Sequence, residues 1–271
     1  INDKMELTLG KRKFDMDTTL KGFVGTVWWP SYILGSATRP DNVNSLYSGS
    51  DDITKVNLSY ALNNDSMMYV TFSEGYRPGG ANRTTQLGAT YDADFLESKE
   101  IGFKSMLMDG RLRLNGALYI MDWDDIQLGW FDSSISLLGL VDNIGKAESD
   151  GTEIDLKYLV NDAVSIAVGF SENSTALKED YTLRGVVEAR DGQDLPFTPD
   201  KKYNVTINVD ITDTSSFQFN HVFVDEMWND LFYDDRELQD SYAISNMSFT
   251  TQIGDNSTMQ IYMDNVFDEV A

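Results

Sequence analysis

Cysteine is absent from the 271 residues, which excludes disulfides, thiolate metal sites and cysteine nucleophiles. Histidine occurs once, at His221, and a metal role for it would need partners that the sequence does not name. Basic residues are scarce against acids, 21 to 44, giving a net charge of −23. So acidic a chain is a poor partner for nucleic acid and for an anionic lipid surface, both of which need Lys and Arg. Also missing is any run of about 18 apolar residues, so there is no transmembrane helix. A membrane is not thereby excluded, because a barrel strand alternates its faces and averages to mild polarity, as the mean hydropathy of −0.33 does. No charged segment followed by an apolar one opens the chain at Ile1, so the sequence reads as part of a longer protein whose signal peptide is absent or already removed.

What the chain has in abundance is period-two alternation. In Tyr203-Asn204-Val205-Thr206-Ile207-Asn208-Val209-Asp210-Ile211 one face is apolar and the other polar. Val56, Leu58, Tyr60 and Leu62 alternate with polar residues in the same way, as do Ile154, Leu156, Tyr158 and Val160, then Met259, Ile261 and Met263, and Met5, Leu7 and Leu9. The pattern predicts eleven strands, at 4–13, 55–62, 67–76, 95–108, 111–128, 144–160, 163–176, 200–211, 216–227, 239–253 and 257–266.

The connections alternate strictly between long (14–54, 77–94, 129–143, 177–199, 228–238) and short (63–66, 109–110, 161–162, 212–215, 254–256). The short ones carry the Asn, Asp, Gly and Ser that tight hairpins require. One trimmed rim and one elaborated rim is the layout of an outer-membrane barrel. A propeller would repeat every 40–50 residues or so, and no such repeat is present; a soluble sandwich mixes its connection lengths and has shorter strands.

Several segments resemble the barrel of TonB-dependent receptors. The stretch 51–82 contains Gly75-Tyr76-Arg77-Pro78-Gly79-Gly80 followed by Asn82. The run Phe95 to Ser105, its partner Arg111 to Tyr119, and Asp124-Asp125-Ile126-Gln127 resemble the family's next hairpin. Asn143-Ile144-Gly145-Lys146-Ala147 with Gly151-Thr152-Glu153, and Asn265-Val266-Phe267-Asp268, continue the series in order. Ile53-Thr54-Lys55 departs from a proline that the family often carries there.

The resemblance implies an all-β transmembrane antiparallel barrel of about 22 strands with an N-terminal plug. Residues 1–271 would then be a partial barrel domain, roughly strands 11 to 21, with the plug and the last strand outside it. It further implies a receptor rather than an enzyme, in the Gram-negative outer membrane, surrounded by lipid and lipopolysaccharide. Its partner would be TonB, reached through the missing N-terminal region, and its cargo a bulky scarce nutrient, above all a ferric siderophore. A carbohydrate, haem or cobalamin receptor on the same barrel, a passive porin of about 16 to 18 strands, and an outer-membrane enzyme or adhesin are the alternatives. Neither a cofactor nor a nucleic acid partner is expected.

Such a transporter needs no catalytic residue, only a ligand-binding rim, so the aromatics and arginine of the long loops are the candidates. They are Tyr76, Arg77, Tyr91, Trp130, Phe131, Tyr181, Trp228, Phe232 and Tyr233, with Trp28, Trp29 and Tyr32 beside them. The competing role is an aromatic girdle or loop packing. The glycines of 75–80 read as a strand-to-loop exit at positive φ, not as a phosphate loop, because no helix follows. By parity His221 shares a face with Phe217, Phe219 and Phe223, a lipid-facing place that a bulge or an interfacial depth would accommodate. Asp51-Asp52, Asp92 with Asp94, and Asp234-Asp235 could bind calcium, against the plainer reading of solvated loop charge. Glu153, Asp155, Lys157, Arg111 and Arg113 are expected to face the lumen.

Overall fold

The computed structural model describes residues 3–23, 43–83, 88–130, 139–233 and 237–270. Eleven long strands form one antiparallel sheet in which every strand pairs with its sequence neighbours. They are β1 (Met5–Gly22), β2 (Val43–Ala61), β3 (Ser66–Arg77), β4 (Asp94–Leu107), β5 (Leu112–Asp124), β6 (Ala147–Asn161), β7 (Val164–Leu177), β8 (Lys201–Thr212), β9 (Ser215–Val224), β10 (Tyr242–Ile253) and β11 (Ser257–Met263).

Turn chemistry closes the short rim. Arg111 N–H donates to Met108 O at 3.2 Å, across Asp109 and Gly110. Both of those residues have positive φ, +56° and +85°, the geometry of a hairpin turn that follows strand twist. The Oδ1 atoms of Asn63 and Asn161 each accept the N–H two residues on, at 2.8 and 2.9 Å, so these side chains stand in for a turn of backbone.

Register makes one face continuously apolar. Leu7, Leu58, Val70, Ile101 and Leu118 lie directly opposite one another across β1 to β5. Phe170, Tyr203 and Phe223 do the same across β7 to β9, and Val209, Phe217, Phe249 and Ile261 across β8 to β11. This face is bare: Leu9 is 69% exposed and Ile261 59%. Burying a face of this extent requires lipid, since soluble monomers do not expose apolar patches so large. Toward the long rim the same face ends in charge, with Glu74, Glu97, Asp122 and Glu148 in direct register across β3 to β6. Lys99 reaches Asp122 at 3.0 Å and Lys178 reaches Glu148 at 2.9 Å within this collar. The opposite face is polar, with Tyr69 donating to Glu100 at 2.6 Å and Arg113 paired with Asp155 at 3.0 Å.

All eleven strands occur where expected, with shifts of boundary that are largest in β1 and β2. β1 and β2 run on to Gly22 and from Val43, so the connection taken as 14–54 shrinks to 23–42. Their extensions rise beyond the apolar band, where no lipid face enforces an apolar period. The strand expected over 111–128 breaks at Asp125, which has φ +55°, and β6 starts at Ala147 rather than at 144. At the other end β11 stops at Met263, short of 266, just before Asn265 at φ +47°. Arg111, expected on the polar face, lies in the β4–β5 turn and donates to the carbonyl of Leu159 at 3.0 Å. His221 remains on the apolar face without a bulge. It lies three residues from the long-rim end of β9, and its Nδ1 meets the buried Ser245 hydroxyl at 2.8 Å.

A test of this two-faced sheet follows. Val70→Arg, midway along the apolar face, should cost about 2–4 kcal/mol of folding stability in lipid. Ser98→Arg, on the polar face of the neighbouring strand, should cost less than half as much. Denaturant refolding of the full-length protein into vesicles measures both, and equal costs would contradict the face assignment.

Candidate functional site

Buried residues gather at the long rim, on the polar-face side of the sheet. Leu96, Trp123, Ala147 and Leu177 form one row in direct register across β4 to β7. Above it the connections fold inward as short two-stranded ribbons, at 80–81 with 90–91, 127–130 with 140–143, 181–183 with 186–189, and 227–228 with 238–239. Ile126, Ile144, Leu177, Tyr181, Leu195 and Leu231 pack into a single apolar cluster, with Trp123 and Phe232 against it. The elaborated rim therefore has a hydrophobic core of its own.

A buried polar node holds the base of that rim. Asp94, 1% exposed, takes Arg77 Nε at 3.0 Å and the backbone N–H of Gln127 at 2.9 Å on the same oxygen. Arg77 also donates through a terminal nitrogen to Asp94 and to the Gln127 carbonyl, the latter at 2.7 Å. The Gln127 amide donates to the carbonyls of Pro78 and Asp92, at 3.0 and 2.8 Å. Asn143 bridges Asp92 and Asp125, and Asn82 pairs in both directions with the backbone of Val141, at 2.9 and 3.1 Å. Residues 77–82, 92–94, 125–127 and 141–143 thus meet at one place.

The glycines of this node serve close approach and not left-handed backbone. Neither Gly79 nor Gly80 has positive φ. A Cβ on Gly79 would lie 2.4 Å from the Tyr47 ring and 2.5 Å from Tyr91 O, and one on Gly80 would lie 2.5 Å from the Tyr91 hydroxyl. The positive φ expected there is replaced by crowding between two tyrosines.

The candidate binding residues fall into distinct settings. Tyr76 is sandwiched by Phe14 and Phe95, with ring centroids at 3.9 and 5.4 Å, and its hydroxyl is buried near Tyr47. Arg77 is engaged in the node, with its guanidinium 5.9 Å from the Trp123 ring centre. Tyr91 covers Gly80. Tyr181 is buried and donates to Asp142 at 2.7 Å; burial, then that carboxylate, pushes its phenol far above the usual range. Trp228 and Tyr233 stack at 4.5 Å with planes 10° apart, and Phe232 packs on the apolar cluster. Trp130 ends its ribbon strand, while Phe131, Trp28, Trp29 and Tyr32 lie outside the described residues. Of the acidic pairs, Asp52 is paired with Lys11 at 2.6 Å and Asp94 is taken by Arg77; Asp234-Asp235 lie outside the described residues.

Sequence reasoning missed two features here. Phe197, 63% exposed, sits at φ +61°, and nothing in its flanks Pro196 and Thr198 signals that conformation. Asp194 accepts from the Tyr233 hydroxyl at 3.4 Å and donates its own N–H to that oxygen at 2.7 Å. Burial, then Asp200, pushes the Asp194 carboxyl up, against the opposing hydrogen bond from Tyr233. Lower on the polar face, Tyr69, Lys104, Glu153, Asp155, Lys202 and Asn204 line an open basin of about 370 Å³.

Removing Asp94 should loosen the whole rim. Asp94→Ala leaves Arg77 and the Gln127 N–H without their acceptor, at a cost on the order of 3 kcal/mol, the low end for a buried pair because Arg77 is half exposed. Hydrogen exchange should speed up in 78–93 and 125–146 together; acceleration confined to one of the two would show that the node does not couple them.

The sequence matches the family model described as TonB dependent receptor-like, beta-barrel, over residues 2–266. It is 24% identical over 220 residues to the pesticin receptor of Yersinia pestis, covering 79% of this chain and 31% of that receptor. The ferric-pyoverdine 358 receptor of Pseudomonas putida is 25% identical over 118 residues, 43% of this chain and 14% of its own length. In structure, the ferric yersiniabactin uptake receptor of Yersinia pestis superimposes with a TM-score of 0.77 at 19% identity, over 99% of this chain and 39% of that one. The siderophore receptor of Acinetobacter baumannii gives 0.74 at 15% identity, over 98% and 37%. The chain thus spans less than half the length of each of these relatives. With its meander, its two-faced register and its motif node, the chain belongs to the family of TonB-dependent receptors as part of their outer-membrane β-barrel.

Proposed function

We propose that the full-length protein takes up a ferric siderophore across the Gram-negative outer membrane, driven through TonB. The observation that carries this reading is the rim. Four ribbons and a private apolar core build a folded platform on the polar-face side, where a solute arrives. Relatives named for ferric pyoverdine and ferric yersiniabactin support iron complexes as the cargo class. The nine candidate residues remain the binding set of this reading; the stacking of Trp228 on Tyr233 supports a ligand-contacting role for that pair, and the hydrogen bonds of Tyr181 and Arg77 support a role in holding the platform.

We further infer a larger closed barrel, in which these strands are roughly numbers 11 to 21 of about 22 around a plug. Among the described residues β1 and β11 each pair on one side only, and an unpaired edge in lipid is untenable. The family is one of receptors, which supports a receptor's role for the full-length protein.

Radiolabelled iron decides the matter. A strain lacking this gene should lose uptake of at least one ferric siderophore under iron limitation, and collapse of the proton-motive force should abolish the same uptake in the parent strain. Unchanged iron uptake, with a defect in carbohydrate, haem or cobalamin acquisition instead, would overturn the iron reading. Uptake that persists without the proton-motive force would indicate a passive pore.

A further inference from the structure

The polar face of the sheet is divided by charge. On β4 to β6 it carries Glu100, Lys104, Arg113, Glu153, Asp155 and Lys157, acids and bases in equal number. Lys104 and Asp155 lie in one row, with Asn115 between them, and Lys157 is directly opposite Arg113. Lys104, Glu153 and Lys157 are exposed, and among the described residues none of the three belongs to an ion pair. The basin lined by Tyr69, Lys104, Glu153 and Asp155 opens in this sector. On β8 to β11 the same face is neutral. Between Lys202 and Asp210 the polar face of β8 has no charge, and β9, β10 and β11 contain no Asp, Glu, Lys or Arg on either face.

The neutral sector satisfies itself. Gln218 Nε2 donates to Asn208 Oδ1 at 2.8 Å, and Asn220 Nδ2 to Thr206 Oγ1 at 3.0 Å. Thr206, Asn220 and Asn246 lie in direct register, as do Asn208, Gln218 and Ser248. A surface that withdraws from these amides and hydroxyls gives up only hydrogen bonds that water replaces. A surface that withdraws from the charged sector must part from charges held at fixed positions. Because those charges are of both signs, they accept a partner in one register only. They fit a folded polypeptide of complementary pattern and not a small ion. The plug inferred above for the full-length barrel is such a polypeptide.

We propose that the plug is seated on the charged sector, β4 to β6, and that the iron complex passes along the neutral sector, β8 to β11. A solute of either sign finds no fixed charge to lodge against on the neutral wall, and weak binding is what passage requires. The proposal rests on the uptake reading and gives its two tasks, holding the plug and passing the cargo, to different parts of the wall.

The absence of cysteine from residues 1–271 makes the test direct. Single cysteines are placed in the full-length receptor, after any outside this range have been changed to serine. Asn220→Cys and Ser248→Cys report on the neutral sector, Ala117→Cys and Ser98→Cys on the charged one. The purified receptor is titrated with urea, and reaction of each thiol with iodoacetamide is followed, while the gel mobility of the unheated protein shows that the barrel stays closed. The neutral-sector thiols should become reactive at a urea concentration about 1 M below that of the charged-sector thiols. Lys104→Gln combined with Glu153→Gln should bring the two midpoints together, and so should about 1 M salt, which screens exposed charges. One midpoint for all four thiols, exposure of the charged sector first, or a difference that survives the double substitution would each overturn the division of the wall. Those results would leave the uptake reading standing so long as iron transport still depends on the gene. Full reaction of all four thiols without urea would overturn the seat together with the inferred plug.

Discussion

Every strand of this sheet answers to a single constraint. A wall in hydrocarbon must pair its backbone internally and show lipid nothing but apolar side chains. Direct cross-strand register meets both demands at once. The same pairing that satisfies the N–H and C=O groups of β1 to β5 also sets Leu7, Leu58, Val70, Ile101 and Leu118 side by side. A slip of one residue in any strand would turn its apolar set toward the polar face, so a single error is felt across the whole wall. The tight asparagine and glycine turns at the short rim guard against that slip.

Freed from lipid, the long rim is organised differently. Its stability comes from an apolar cluster of loop residues and from a carboxylate, Asp94, whose oxygens are claimed by Arg77 and the Gln127 backbone. The two arrangements meet at the ends of β3 and β4, where Arg77 and Asp94 are directly opposite one another. Gly79 and Gly80 belong to this junction because two tyrosines close over them.

Much of the wall was legible in the sequence, because lipid on one face and water on the other write a period of two that survives in every strand of the apolar band. Tyr203 to Ile211 shows it in full, and the turn residues mark its reversals. Above the band that grammar lapses. Residues 14–22 and 43–54 are strand all the same, held by pairing with each other rather than by an amphipathic pattern. The ribbons were illegible for a like reason: 80–81 pairs with 90–91 through contacts of two residues each, too short to leave a period. The motif segments could be recognised singly by resemblance, whereas their convergence on one node depends on contacts between residues up to 59 apart, such as Asn82 and Val141. Phe197 was invisible because positive φ in a bulky residue is imposed from outside, here by Trp228 and Thr175.

The node has a consequence for how such a receptor can change. Because Arg77, Asn82, Asp94, Gln127 and Asn143 tie the roots of two connections to the wall, whatever lies beyond those ties is mechanically insulated from the barrel. The ties stand between the strands and the ribbons at 80–81 with 90–91 and 127–130 with 140–143, so strand register does not depend on the side chains those ribbons carry. Change at the outer surface can therefore begin above the ring of ties while the membrane wall beneath stays the same.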